Sequence, residues 1–379
     1  MADRESEFVA LIGSGVGSVD SAEWDGLAGN GDPFLSNAFL SALEESGSVG
    51  EGTGWSPAPI LIQEDGALTA AMPAYLKSHS QGEYVFDHGW AEAYQRAGGA
   101  YYPKLQVAVP FTPVPGKRLL GRRPQQLLAA AEAVVVQNGL SSAHITFLDE
   151  ADAAHCEKRG WLIRDGLQYH WFNRGYADFD QFLGALSSRK RKQIRKERAG
   201  AANRLEFVAL RGAEIERRDW DAMWAFYQDT GGRKWGRPYL TRDFFDRIAA
   251  TMGESLLLFL AKRDGVPIAG ALNLIGRDAL YGRYWGAVED VPFLHFELCY
   301  YRAIEWAIDH GLAQVQAGAQ GEHKLARGYV PVITRSAHFL ASSGLRQAVK
   351  RYVDGERVAI ADEARWLAEA LPYRSSDSE

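Results

Sequence analysis

The feature that most restricts the fold is an ordered set of signals that occurs twice. Ile60 to Glu64 and Ala67 to Leu76 flank Asp65-Gly66, and Leu256 to Lys262 and Val266 to Ile275 flank Asp264-Gly265. Asp-Gly between apolar runs marks a β-hairpin, because glycine tolerates the positive φ that the turn requires. Each hairpin follows a tryptophan-bearing helical region, Trp24 to Leu43 and Trp220 to Met252. Each precedes a third strand (Tyr84 to Phe86; Leu280 to Trp285) and then a helix stopped by glycine (Gln125 to Gly139; Pro292 to Gly311). A further strand follows (His144 to Leu148; Gln314 to Ala317), then Arg159-Gly160-Trp161 and Arg327-Gly328-Tyr329, with His170 and His338 each ten residues past the glycine. So many matches in one order point to duplication of a single α/β unit.

The joint falls near Gly175, which gives expected domains 1–175 and 176–379. The glycines of the Asp-Gly turns lie 199 residues apart, but Gly139 and Gly311 only 172, so the first half carries about 27 extra residues. This insertion, near 91–117, holds Tyr101-Tyr102-Pro103-Lys104 and Pro110-Phe111-Thr112-Pro113. It reads either as a ligand-facing aromatic element or as a rigid packing arm. In the second half, Asp178 caps a short helix, Ser188 opens the basic run 189–198, and the tail 344–372 reads as helix.

Composition narrows the function classes. A chain of 379 residues with 46 % apolar and 24 % charged residues is an ordinary folded protein long enough for two domains. The net charge of −6 argues against a nucleic-acid binder held by global charge and leaves room for a local basic patch. Two cysteines, Cys156 and Cys299, build neither a disulfide framework nor a cysteine zinc site. The acidic amino terminus lacks the apolar run of a secretory signal, and no stretch of about 18 apolar residues is present to span a membrane. A cytoplasmic location is the expectation.

Two helices, a hairpin, a third strand, a helix and another strand is the order of the GNAT acyltransferase fold, and two copies in tandem resemble the FemAB aminoacyl transferases. The stretches 101–113, His295-Phe-Glu-Leu-Cys-Tyr-Tyr301 and Gly318-Ala-Gln-Gly-Glu-His-Lys-Leu-Ala-Arg-Gly328 resemble, more closely, the FemAB-like bacterial family described as peptidoglycan biosynthesis or recognition proteins. The resemblance covers most of the chain. It implies an α/β (α+β) tandem of two GNAT-like domains, each a mixed twisted sheet flanked by helices. It also implies transfer of an acyl or aminoacyl group from acyl-CoA or aminoacyl-tRNA to an amine on a small molecule or peptide, such as a cell-wall precursor. The rival reading is a recognition module on the same scaffold that binds peptide or glycan without turnover.

Acyl transfer to an amine needs a positioned nucleophile, a route for its proton and donors for the developing oxyanion. In a GNAT-type site these meet where two parallel strands splay, here Leu280 to Trp285 and Gln314 to Ala317. Alternation puts Tyr281, Arg283 and Trp285 on one side of the first strand and Gly282 and Tyr284 on the other. Tyr284 is a candidate proton donor, with Arg283, Trp285 and His295 as substrate contacts. On the following helix, Phe296, Cys299, Tyr300, Ala303, Ile304, Ala307 and Ile308 form a core stripe, and Glu297 is a candidate base beside the cleft. Glu322 and His323 are further proton acceptors, and Gln320, Lys324 and Arg327 candidate substrate ligands, Arg327 as a two-pronged carboxylate clamp. Tyr102, Lys104 and Phe111 are expected to meet the acceptor. For coenzyme A, Arg118, Gly121 and Arg122 stand just before Pro124, a first helical position that favours phosphate. For tRNA, the basic run 189–198 is the counterpart. Glu322 and His323 lack a second histidine at short helical spacing, so no metal is expected.

Overall fold

The computed structural model describes residues 8–29, 31–235, 238–318 and 321–374, without the side chains of 232–235. Its two compact units are 1–166 with 333–361, and 167–332 with 362–379. They differ from the halves 1–175 and 176–379 because two long strands each change unit along their length.

The first unit opens with β1 (Phe8–Ile12), α1 (Ser21–Ala28), α2 (Asn37–Glu45), β2 (Trp55–Pro57), β3 (Ile60–Glu64), β4 (Ala67–Met72) and β5 (Ala74–Lys77). It continues through α3 (His88–Arg96), β6 (Lys104–Val107), β7 (Leu120–Gly121), α4 (Pro124–Gln137), β8 (Ser142–Leu148) and α5 (Glu150–Lys158). Asp20 and Ser36 cap α1 and α2 by accepting from Glu23 N and Phe39 N. The β3–β4 turn has φ of 50° at Asp65 and 82° at Gly66, the left-handed pair that Asp-Gly supplies most cheaply. Helix α4 buries Leu127, Leu128, Ala131 and Val135, a helical stripe, against Ile60, Ile62, Leu105 and Ile145.

β9 (Leu162–Phe172) enters the second unit at Leu167. There follow α6 (Phe179–Ala185), α7 (Ser188–Ala201), β10 (Glu206–Arg211), α8 (Arg217–Trp235), α9 (Arg242–Thr251), β11 (Leu256–Arg263), β12 (Val266–Ile275) and β13 (Ala279–Ala287). Then come α10 (Leu294–Phe296), a π turn (Glu297–Tyr301), α11 (Arg302–Asp309), β14 (Gln314–Gln316) and a 3-10 turn (Glu322–Arg327). β15 (Val330–Leu340) passes to the first unit at Ile333, and α12 (Ser343–Glu369) is the last helix among the described residues. Asp264 and Gly265 repeat the turn, at φ of 50° and 80°. The core gathers Leu257, Phe259, Leu280 and Val315 from the sheet with Leu298, Tyr301 and Ile304 from the helices.

Both units share one feature that positions a site. β6 pairs in parallel with β8, and β13 in parallel with β14, while the neighbouring pairs are antiparallel. The fold class is therefore as expected, with one correction. The third strand of the first half is Lys104–Val107; no strand forms at Tyr84 to Phe86, where Tyr84 has φ of 57°. The additional residues thus precede that strand instead of following it.

Candidate functional site

In the second unit, β13 and β14 pair through Ala279↔Gln314, Leu280↔Val315 and Tyr281↔Gln316. β14 stops there, whereas β13 runs on to Ala287, so the parallel strands part beyond Tyr281. The register between β12 and β13 also slips: Leu272 faces Tyr284 and Asn273 faces Gly282, leaving Arg283 in a bulge. A cavity of about 120 Å³ lies at this point. The bulge breaks the expected alternation, so Gly282, Arg283, Tyr284 and Trp285 all line it, along with Asn273, His295, Cys299 and Gly318. A side chain at position 282 would intrude, since a Cβ there would lie 3.3 Å from Asn273 Oδ1.

Asn273 is fully buried and donates Nδ2 to the carbonyls of Ala271 (3.1 Å) and Leu257 (3.4 Å). Its Oδ1 has no hydrogen-bond partner among the described residues. Such an orphan acceptor carries a desolvation cost that a bound N–H would relieve. Tyr284 packs edge-on against Tyr227 and Phe245 at 5.6 and 5.7 Å, and the Trp285 ring meets His295 at 5.2 Å.

The polar loop after β14 closes one side. Glu322 and His323 are exposed, whereas Lys324 and Arg327 are buried. Lys324 Nζ donates to Gly318 O at 2.6 Å; burial pushes its pKa down to about 8, with the negative charge available to Cys299 opposing the shift. His323 Nε2 shares a 2.8 Å hydrogen bond with Tyr300 Oη, and burial followed by the charges of Arg327 and Lys324 lowers the imidazole pKa. Gly321, at φ of 115°, lies so close to the His323 ring that a Cβ would sit 2.5 Å from Cε1. Gln320 lies outside the described residues.

Two expected roles are corrected here. Arg327 donates Nη2 to Glu197 Oε2 (2.8 Å) and Nε to Tyr301 Oη (3.0 Å), and its guanidinium stacks over Phe296, so its fork is turned inward. Glu297 is buried between Arg198 and Arg302, each 3.0 Å from its Oε1, which makes it a structural counter-ion and not a base open to a substrate.

In the first unit, Arg118 is buried and gives its guanidinium to three backbone carbonyls, Thr146, Lys117 and Val114, at 3.1, 2.7 and 2.7 Å. Gly121 pairs with Ala70 in the sheet, and a Cβ there would meet Thr69 O at 2.2 Å. Arg122 and the Gly121 backbone are exposed. The segment is thus a strand and its anchor, not an open phosphate loop. The insertion also faces inward: Phe111 is buried against Trp55 at 5.6 Å, and Tyr102 is half-buried with its hydroxyl 2.8 Å from Ser80 Oγ. Lys104 Nζ contacts Ser80 (2.7 Å), Glu83 (2.9 Å) and Asp87 (2.6 Å), all buried.

From Asp87 a hydrogen-bonded chain continues through Tyr101 Oη (2.7 Å) and His144 Nε2 (3.2 Å), then from His144 Nδ1 to His338 Nδ1 (2.7 Å) and from His338 Nε2 to Ser336 (2.9 Å). Burial drives the pKa of His144 down to about 3 and that of His338 well below its usual value, with nearby cations adding to both shifts. Both imidazoles are neutral. Among the described residues, no three His, Cys, Asp or Glu side chains gather as a metal site would, and no helix is long and apolar enough to cross a membrane.

Sequence reasoning missed Asn273 and Cys299 as cavity residues. Asn273 carried a signal, a lone amide in the apolar run 266–275; Cys299 carried none, being masked by the helical stripe.

Several solved structures share the fold. FemX covers 88 % of this chain and 98 % of its own at 13 % identity, with a TM-score of 0.53. L-PGS from Bacillus licheniformis covers 86 % and 98 % at 12 % identity and a TM-score of 0.50. A conserved protein of unknown function from Bacteroides thetaiotaomicron covers 87 % and 99 % at 10 % identity and a TM-score of 0.51. No curated protein matches the chain in sequence. The FemAB-like family, described as peptidoglycan biosynthesis/recognition, matches residues 15–375, and the chain belongs to that family.

Proposed function

We propose that this protein is a transferase that moves an acyl or aminoacyl group from an activated donor to an amine, using the cavity at the β13 bulge, where β13 parts from the chain that follows β14. The observation that carries this reading is the parting of a parallel strand pair beside a bulge, with Asn273, whose buried Oδ1 has no hydrogen-bond partner among the described residues, in the lining of the cavity found there. Backbone exposed by a splay gives a donor an edge to lie along, and the amide positions an N–H group. FemAB-like membership and the fold shared with FemX favour a cell-wall precursor as the acceptor.

Of the two donors, aminoacyl-tRNA has the better support. Arg118 is committed to the interior and Gly121 to strand pairing with Ala70, whereas Arg189, Lys192, Arg195 and Lys196 are exposed on α7 in the same unit as the cavity.

The test is parallel turnover: deacylation of a set of aminoacyl-tRNAs, and thiol release from a set of acyl-CoAs, each with and without a peptide amine. Turnover that needs the amine supports the reading. Silence in both arms, with measurable binding of a cell-wall peptide, would replace it with the recognition module.

A further inference from the structure

We propose that Cys299 is a covalent acyl carrier, which takes the acyl group as a thioester before the amine receives it. This rests on the transferase reading and adds a chemical step to it. Helical spacing assigns Cys299 to the core, yet it is half-buried and lines the cavity. It sits at the middle of the Glu297–Tyr301 π turn, a rare widening of a helix that is frequent at functional sites. The other cysteine, Cys156, is buried in the first unit's core, where desolvation pushes its thiol up to about 12.

The surroundings of Cys299 suit a nucleophile. Lys324 Nζ is held at Gly318 O, and Gly318 lines the same cavity; the lysine interacts electrostatically with the Cys299 sulfur. A neighbouring ammonium favours the thiolate, the reactive form. The orphan oxygen of Asn273 is the independent sign of a ligand. It asks for an N–H, which an aminoacyl group supplies. The cavity of about 120 Å³ has the volume of roughly four liquid waters, enough for a small acyl group.

The step balances as follows. The Cys299 sulfur attacks the donor carbonyl carbon, forming a C–S bond while the carbonyl π pair moves to oxygen. Collapse breaks the bond to the donor's oxygen or sulfur, which leaves with the electron pair and takes a proton from the Lys324 ammonium. The acceptor amine then attacks the thioester carbon, Cys299 departs as thiolate, and neutral Lys324 takes the surplus proton from nitrogen. The net change is one acyl group moved and one donor hydroxyl or thiol released.

The test uses the full chain with p-nitrophenyl acetate as a generic acyl donor. The expected result is a stoichiometric burst of p-nitrophenolate, with one acetyl group on the Cys299 peptide that hydroxylamine removes. Cys299→Ala and the near-isosteric Cys299→Ser lose the burst, while Lys324→Met slows it about tenfold or more and shifts its pH profile. A burst retained in Cys299→Ala, or acetyl found only on Cys156 or on lysines, would overturn the proposal. If Cys299→Ala still transfers an acyl group to amine at the parental rate, the covalent step is wrong and the transferase reading stands. If Cys299 is acetylated but no amine or aminoacyl donor is ever turned over, the transferase reading fails and the reactive cysteine stands.

Discussion

Replacing Arg327 with methionine separates a structural role from a substrate role. The side chains of Arg327 and Glu197 are 5 % and 7 % exposed, and the pair is joined at 2.8 Å. Arg327 also donates to Tyr301 Oη and, at 2.7 Å, to the carbonyl of His323. Methionine preserves most of the packing over Phe296 but leaves the Glu197 carboxylate buried, with Tyr301 and Gln193 as its remaining donors. Breaking a buried pair from one side costs roughly 3–5 kcal/mol. The two hydrogen bonds lost besides the pair contribute about 1 kcal/mol each, and the donors retained by Glu197 offset a similar amount. We therefore expect a loss of about 4 kcal/mol, with Arg327→Met/Glu197→Gln recovering at least half because no charge is then stranded. Urea unfolding followed by tryptophan fluorescence reads this as a lower midpoint at unchanged slope. A single variant within about 1 kcal/mol of the parent that nonetheless loses turnover would refute the structural role and restore Arg327 as a substrate clamp.

Other outcomes follow from the same geometry. Because His144 and His338 have folded pKa values far below the unfolded 6.5, unfolding takes up protons as pH falls below 6.5, and stability present above that value is lost on the way down towards about 3. The urea midpoint should fall between pH 7 and pH 5 by the equivalent of roughly 1 kcal/mol per pH unit for each imidazole. A His144→Gln/His338→Gln variant with the same acid slope would contradict this assignment. Gly282→Val should fill the cavity and lower kcat/KM by about 10²-fold, with a stability loss of roughly 1–3 kcal/mol from overpacking; unchanged turnover would move the site elsewhere. Arg189→Glu/Lys192→Glu/Lys196→Glu should reduce the salt dependence of aminoacyl-tRNA binding by a log–log slope of about 2 and leave any acyl-CoA reaction alone. An unchanged slope would remove α7 from donor binding.

Much of the fold was legible because its signals are local. Asp65-Gly66 and Asp264-Gly265 fix their hairpins through the φ values that they alone tolerate well, and Asp178 caps α6 by accepting from Gln181 N at 2.7 Å. The parallel splay was implied by the resemblance to the GNAT fold. What escaped was long-range. Whether Arg118, Lys104, Glu297 or Arg327 faces a ligand or the interior depends on partners up to 130 residues away, such as Glu197 for Arg327. Charged residues in a glycine-rich loop look solvated until those partners are known. Residues 84–86 resembled a strand by composition, but Tyr84 adopts a left-handed conformation, and pairing went to 104–107. The bulge at Arg283 and the π turn at Cys299 are each a shift in register, which periodicity cannot register because it assumes a constant step.

The strand that completes the first unit, β15, is made only after residues 167–332 of the second. On the ribosome, β8 emerges with its antiparallel neighbour nearly two hundred residues away in sequence, as the pairing of His338 with His144 shows. The first segment of this unit must wait for the intervening 167–332 before its sheet is whole, which leaves a strand edge open while they are made. A nascent chain stalled before Ile333 should therefore remain sensitive to protease within residues 1–166, and become resistant only once residues 333–361 have emerged.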